Sequence, residues 1–205
     1  MREQVLAVAA EMLARGLTSG TAGNVSGRGA GGEIVLTASG VKDDVVVLDP
    51  EGNVVRGHRS PSGEKSLHVA IYAAYPEVRG VVHAHPVYAT AFACARQAIP
   101  AAVDEFALYV GGDVPCAAYA PSGSDALARN AVGLLADRGA VLLASHGMVA
   151  VGTSPADALH VATVVERGAH SIWAAAALGG AVPPPDEANT ALAERYLRGR
   201  SLPST

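Results

Sequence analysis

Apolar residues recur at helical spacing through residues 2–15, with the acidic Glu3 in the first turn and Gly16 at the end, which predicts an amphipathic helix. A Gly-rich loop follows, broken by a short strand around Val25. The period then changes. "EIVLTASG" and "DVVVLDPEGNVVRG" read as short strands joined by turns at Ala38–Gly40 and Pro50–Asn53. "SPSGEKSLHVAIYAAYP" opens as a loop and continues as a helix that Pro76 closes, "VRGVVHAH" is a strand, and "PVYATAFACARQ" is a helix with Pro86 in its first turn. Residues 98–120 read as loop, and the helix in "SGSDALARNAVGLLADRG" has Ser122 or Ser124 as its N-cap. "AVLLASHGMVAVG" splits at His146–Gly147 into two strands. A long helix from "SPADALH" to "AALGG" follows, then a Pro-rich linker and a C-terminal helix and tail at about 186–205. Hairpin-like strands alternating with helices predict one α/β domain over residues 1–205, a three-layer α/β/α arrangement around a mixed, largely antiparallel sheet.

Composition narrows this picture. Half the residues are hydrophobic but only 4% are aromatic, so the core must be built from Val, Leu, Ala and Ile. A net charge of −4 argues against nonspecific nucleic-acid binding, which needs Lys and Arg to neutralise phosphates. No stretch approaches a membrane span of about 18 apolar residues. Cys94 and Cys116 are too few for a disulfide framework and read as small core residues of a reduced, cytoplasmic protein.

The chemistry starts from two imidazoles in an apolar strand. Side chains two apart on a strand share a face, so His83 and His85 can present nitrogens to one point. Catalytic zinc takes three protein ligands and keeps an open position. His146, at the end of another apolar strand and followed by Gly147, supplies the third. His58, His68, His160 and His170 lack this setting and read as surface or packing residues. Glu64 alone reads as a carboxylate favoured by a helix N-terminus. Two Gly-rich turns around Asn24, Ser39 and Gly40 could form an anion nest. Lys42 and Lys65, the only lysines, lie in polar turn-like segments, which disfavours a lysine Schiff base.

"GTAGNVSGR", "TASGV", "SPSGEKSLHVAIY", "VVHAHPVYATA", "CAAYAPSGS" and "LLASHGMVAVG", taken together in order and spacing, resemble the class II aldolase/adducin family, particularly its zinc-dependent fuculose-phosphate aldolases. The resemblance runs to about residue 178. It implies a homotetramer with active sites at subunit interfaces, His83, His85 and His146 as ligands of zinc or another divalent metal, and Glu64 as catalytic acid/base. It also implies a phosphate cradle of Asn24, Ser39, Gly40, Ser62 and Gly63. Asp104 stands where those aldolases place a tyrosine that reaches a neighbouring site, and Tyr196 lies in a segment similar to one that reaches the site in relatives; packing is the other reading of Tyr196. The implied reaction is cleavage of a ketose 1-phosphate, fuculose 1-phosphate-like, to dihydroxyacetone phosphate and an aldehyde through a metal-stabilised enediolate. The alternatives are a sugar-phosphate 4-epimerase, a related lyase, a zinc hydrolase and a non-catalytic adducin-like oligomerisation module.

Overall fold

A computed structural model describes residues 1–200 of the chain; the end of the expected tail, 201–205, lies outside the described residues. Eight strands make one sheet: β1 (Asn24–Arg28), β2 (Ile34–Thr37), β3 (Val45–Leu48), β4 (Val54–Arg56), β5 (Gly80–Ala84), β6 (Cys116–Ala117), β7 (Ala140–Leu143) and β8 (Gly147–Gly152). Their spatial order is β4-β3-β2-β1-β5-β8-β7-β6. Every pairing is antiparallel except β6 with β7, so the sheet is mixed and largely antiparallel, as the hairpin-rich pattern predicts.

Helices cover both faces. On one side lie α1 (Arg2–Ala14), α3 (Val87–Ala95), α4 (Asp104–Tyr109) and α6 (Pro155–Ala175), whose Val5, Met12, Ala93, Phe106 and Val165 meet Val25, Val82, Leu142 and Ala150 of the sheet. On the other lie α2 (Lys65–Ala74) and α5 (Asp125–Val132), whose Leu67, Ile71 and Leu127 meet Leu36, Val81, Val141 and Val149. The alternation of Val81 and Val82 between the two cores is the period-2 geometry of a strand buried on both faces. Such a strand reads as a near-continuous apolar run, so a histidine within it is conspicuous.

Local chemistry fixes the helix starts. The Ser124 hydroxyl accepts from Leu127 N–H and that of Ser154 from Asp157 N–H, while Pro155 occupies the first turn of α6, where no N–H is needed. The C-terminal helix α7 (Asp186–Arg200) packs mainly on α4.

Three expectations are corrected and one is narrowed. Residues 98–120 hold α4 and β6 rather than loop alone; both are too short for a period to register. Of Ser122 and Ser124, only Ser124 caps α5. Cys94 is exposed: α3 buries Ala89 and Ala93, one turn apart, and the next residue points about 100° away from that seam. His68 is fully buried and belongs to a polar network. Among the described residues no helix is long and apolar enough to cross a membrane.

Candidate active site

One end of the sheet gathers the polar residues. Asn24, the first residue of β1, pairs with His83 of β5, and His83 pairs in turn with Val149 of β8. His83 shares the face of Val81, so its ring points toward α2. His85 lies just past the strand end. There the Glu166 carboxylate of α6 accepts from the Tyr88 and Ala89 N–H groups, satisfying free donors of α3 and fixing the chain after Pro86. His146 sits at the tip of the β7–β8 hairpin behind Ser145, a non-glycine residue held at φ 57°, and its N–H returns to Leu143 O. Such left-handed conformations cluster where a side chain must be aimed.

The three rings form a near-equilateral triangle with centroids 4.7, 4.8 and 4.8 Å apart. One nitrogen of each lies within 4.8 Å of the others. His83 Nδ1 lies 2.9 Å from Met148 O; a carbonyl only accepts, so Nδ1 donates there and Nε2 is the nitrogen turned toward the cluster. That Nε2 is 2.8 Å from His85 Nε2. Burial, then the neighbouring histidines, pushes the His85 imidazolium pKa down to about 4, and burial lowers that of His146 as well. Imidazoles aimed at one point are the donor set a divalent cation takes, and one ring is already held by a backbone acceptor, as metal-bound histidines usually are. The residues therefore fit a metal held by His83, His85 and His146.

Glu64, the residue before α2, makes no capping bond to its own helix. Its carboxylate instead faces the histidines, with Oε2 2.8 Å from His83 Nε2 and Oε1 3.4 Å from His146 Nε2. Asn24 Nδ2 donates to Oε2 at 3.1 Å and the Ser122 hydroxyl to Oε1 at 3.0 Å. Burial pushes the carboxyl pKa up, but the hydrogen bond and charge of His83, with His146 and Asn24, more than offset this and hold it well below the usual carboxylate range.

The remaining expected residues divide. Ser62 is buried and its hydroxyl accepts from Glu64 N–H, which places the 62–63 turn beside the carboxylate. Ser39 and Gly40 are exposed on a turn tied to the same segment, through Ser39 N–H to Ser60 O and an Ala38–Pro61 bridge. Gly23 approaches His83 so closely that a Cβ would stand 2.7 Å from the His83 carbonyl oxygen. Asp104 is exposed in the first turn of α4, outside the cluster. Tyr196 packs against Gly111 and Gly139 of its own chain. It lines a cavity of about 310 Å³ with Val78, Val151 and Arg200, at the end of β5 and β8 opposite to the histidines.

Sequence reasoning missed three residues near the site. Ser122 was weighed only as a cap. Lys42 donates to the carbonyls of Thr21 and Gly23, and burial lowers its pKa. His68 was given a surface or packing role; the signal that could have found it is the spacing of Glu64, His68 and Tyr72, which repeats every four residues along one helix face.

A buried carboxylate beside three convergent imidazoles, at one end of a largely antiparallel sheet layered by helices, is an arrangement that could hold a metal ion next to a proton-transferring group. The model of the Class II Aldolase and Adducin N-terminal domain family matches residues 3–173, and the chain belongs to that family. Its enzyme relatives are aldolases and epimerases. A 5-methylthioribulose-1-phosphate/5-deoxyribulose-1-phosphate aldolase of Rhodospirillum rubrum is 38% identical, over 84% of this chain and 80% of its own. An L-ribulose-5-phosphate 4-epimerase of Salmonella paratyphi B is 34% identical, over 91% and 90%. A solved L-fuculose 1-phosphate aldolase superposes with a TM-score of 0.90 at 34% identity, covering 95% of both chains.

Proposed function

We propose that the protein is a divalent-metal-dependent aldolase that cleaves a ketose 1-phosphate into dihydroxyacetone phosphate and an aldehyde. One observation carries this reading: the Glu64 carboxylate stands within 2.8 Å of His83 Nε2 and 3.4 Å of His146 Nε2, where a proton and a cation can act on adjacent atoms of one substrate. A divalent ion held by His83, His85 and His146, which as an all-imidazole set suits zinc, supplies Lewis acidity toward the ketose carbonyl.

The chain's own residues do the rest. When the bond between carbons 3 and 4 breaks, its electron pair stays on carbon 3, next to the carbonyl, and Glu64, having first taken up a proton from solvent, delivers it there. In the condensation direction Glu64 takes that proton back, and its ionised resting state suits the task. The carbon-4 hydroxyl becomes the aldehyde and must release its own proton. We assign that role to Asp104 of a neighbouring copy in a homotetramer, because Asp104 is exposed and stands outside the histidine cluster of its own chain. Asn24, Ser39, Gly40, Ser62 and Gly63 form the phosphate cradle, and Lys42 stiffens the Gly-rich loop behind it. The Rhodospirillum relative makes a 5-deoxyketose 1-phosphate the first substrate to try, and the superposed structure makes fuculose 1-phosphate the second.

A second reading, 4-epimerisation by cleavage and re-addition at the same site, is favoured by the epimerase relative. The test is product analysis of the zinc-loaded protein on both ketose 1-phosphates and on L-ribulose 5-phosphate. Release of dihydroxyacetone phosphate supports the aldolase. Inversion at carbon 4 without release supports the epimerase, and hydrolysis to free phosphate would refute both.

A further inference from the structure

From Glu64 a line of buried polar groups runs between β1 and α2, and of its members only Asn24 has a part in the proposed chemistry. Asn24 and Ser26 lie two apart on β1 and point the same way; His68 and Tyr72 lie four apart on α2 and face them. All four are at most 5% exposed, and Ser26 and His68 are fully buried. The contacts are continuous. Tyr72 Oη lies 2.9 Å from Ser26 Oγ, Ser26 Oγ 2.6 Å from His68 Nδ1, His68 Nε2 2.5 Å from Asn24 Oδ1, and Asn24 Nδ2 3.1 Å from Glu64 Oε2.

The direction of every bond follows from the Asn24 amide, whose Nδ2 donates to Glu64 Oε2 and whose oxygen therefore faces His68. An amide oxygen only accepts, so His68 Nε2 carries the proton. Burial is the main cause of a His68 imidazolium pKa lowered to about 3, so the ring is neutral and Nδ1 is a bare acceptor. The Ser26 hydroxyl must then donate to Nδ1 and accept from Tyr72. The line is a one-way series of donors, Tyr72 to Ser26 to His68 to Asn24, ending on Glu64. Serial hydrogen bonds of one direction polarise and strengthen each other. The opposite His68 tautomer would set a bare Nε2 against Asn24 Oδ1, and relieving that by turning the amide would set its oxygen against the carboxylate.

We propose that His68 is a positioning residue for the reaction: through its Nε2–H tautomer it fixes the Asn24 amide, and the amide holds Glu64 in line for proton transfer. This rests on the assignment of Glu64 as the proton carrier. It gives the buried histidine a task at a distance, without contact with substrate or metal.

The tautomer can be read directly. Long-range ¹H–¹⁵N correlation spectra of the full chain at neutral pH, with His68 assigned by comparison with His68→Gln, should show a neutral ring protonated at Nε2. A ring protonated at Nδ1, or an imidazolium, overturns the proposal whatever the variants do. Kinetics use a half-reaction that needs no aldehyde: exchange of solvent deuterium into dihydroxyacetone phosphate by the zinc-loaded enzyme. Losing one aligned bond to a charged group should slow exchange about 10- to 100-fold. His68→Leu should show that loss in the maximal rate, with zinc content unchanged. His68→Gln, whose terminal amide can still donate to Asn24, should recover most of it. A glutamine variant as slow as the leucine variant, or a leucine variant at the wild-type rate, overturns the proposal. Glu64→Gln is run alongside. If it still exchanges deuterium, the assignment of Glu64 has failed; if it is inactive while His68→Leu is normal, only the role of His68 has failed.

Discussion

Gly147→Ala is the most informative single methyl to add to this protein. Gly147 opens β8 directly after His146, and its φ is negative, so alanine meets no backbone penalty there. The space is another matter. A Cβ at Gly147 would stand 2.4 Å from the Ala84 carbonyl oxygen and 2.7 Å from His85 Cδ2. The first contact is backbone in the neighbouring strand, and the second is the ring of a proposed metal ligand. Neither can yield without moving β5 or turning His85. Overpacking of this kind costs about 1–3 kcal/mol. At about 2–4 °C per kcal/mol for a chain of this size, Tm should fall by about 2–12 °C. A displaced ligand ring should also weaken zinc binding by about 10- to 100-fold, the range seen when a ligand loses its orientation. The assay pairs thermal unfolding of the metal-free protein with zinc affinity by competition against a chelating dye. Gly168→Ala serves as the control, because its Cβ would lie 1.8 Å from Phe106 Cε2 in the α4–α6 contact; it should lose stability but keep zinc affinity. Unchanged zinc affinity in Gly147→Ala, or an equal loss in Gly168→Ala, would refute the idea that close backbone approach at Gly147 sets the His85 ring.

Further expectations follow from other elements. Ser124→Ala removes the side-chain acceptor at the start of α5 and should cost about 0.5–2 kcal/mol in denaturant unfolding, with little change in turnover. Leu142→Ala, in a fully buried position of β7, should cost about 2–5 kcal/mol by the same measurement. The pH dependence of the metal-free protein should carry the signature of His68, whose folded pKa is lowered from 6.5 to about 3: above 6.5 it is neutral in both states, and below that only the unfolded chain binds the proton. Stability should therefore decline as pH falls below about 6.5, with a slope from this group of up to about 1.4 kcal/mol per pH unit, and His68→Gln should show a correspondingly shallower decline. Mixing inactive Glu64→Gln with inactive Asp104→Asn should restore part of the activity if Asp104 serves a neighbouring site; proven subunit exchange without recovery would refute that assignment.

The parts of this protein that could be read from its residues are those fixed by local periodicity. The apolar runs at 80–84 and 140–152 are buried on both faces, so they stand out as strands, and a His-x-His in one of them must place two imidazoles on one side. His146 is legible for a similar reason, since a glycine directly after a histidine marks a hairpin tip. What periodicity cannot reveal is which helix face meets which strand. Ser122 reaches Glu64 across 58 positions and His68 reaches Asn24 across 44, and both contacts follow from the placement of α2 and α5 on the same side of the sheet. Cys94 was misjudged because α3 is apolar nearly all round, and the choice of Ala89 and Ala93 as its buried seam is made by α6 packing against it. α4 went unseen because six residues span less than two turns.

The central claim is that three histidines hold one divalent metal beside the carboxylate that moves the proton. X-ray absorption at the zinc edge of the reconstituted protein, compared with His146→Ala, tests it most directly. The account predicts one zinc per chain with three imidazole shells at about 2.0–2.1 Å, and loss of one imidazole together with tight binding in the variant. Fewer than three imidazoles in the wild-type protein, or a His146→Ala protein that holds zinc in the same shell with the same affinity, would contradict it.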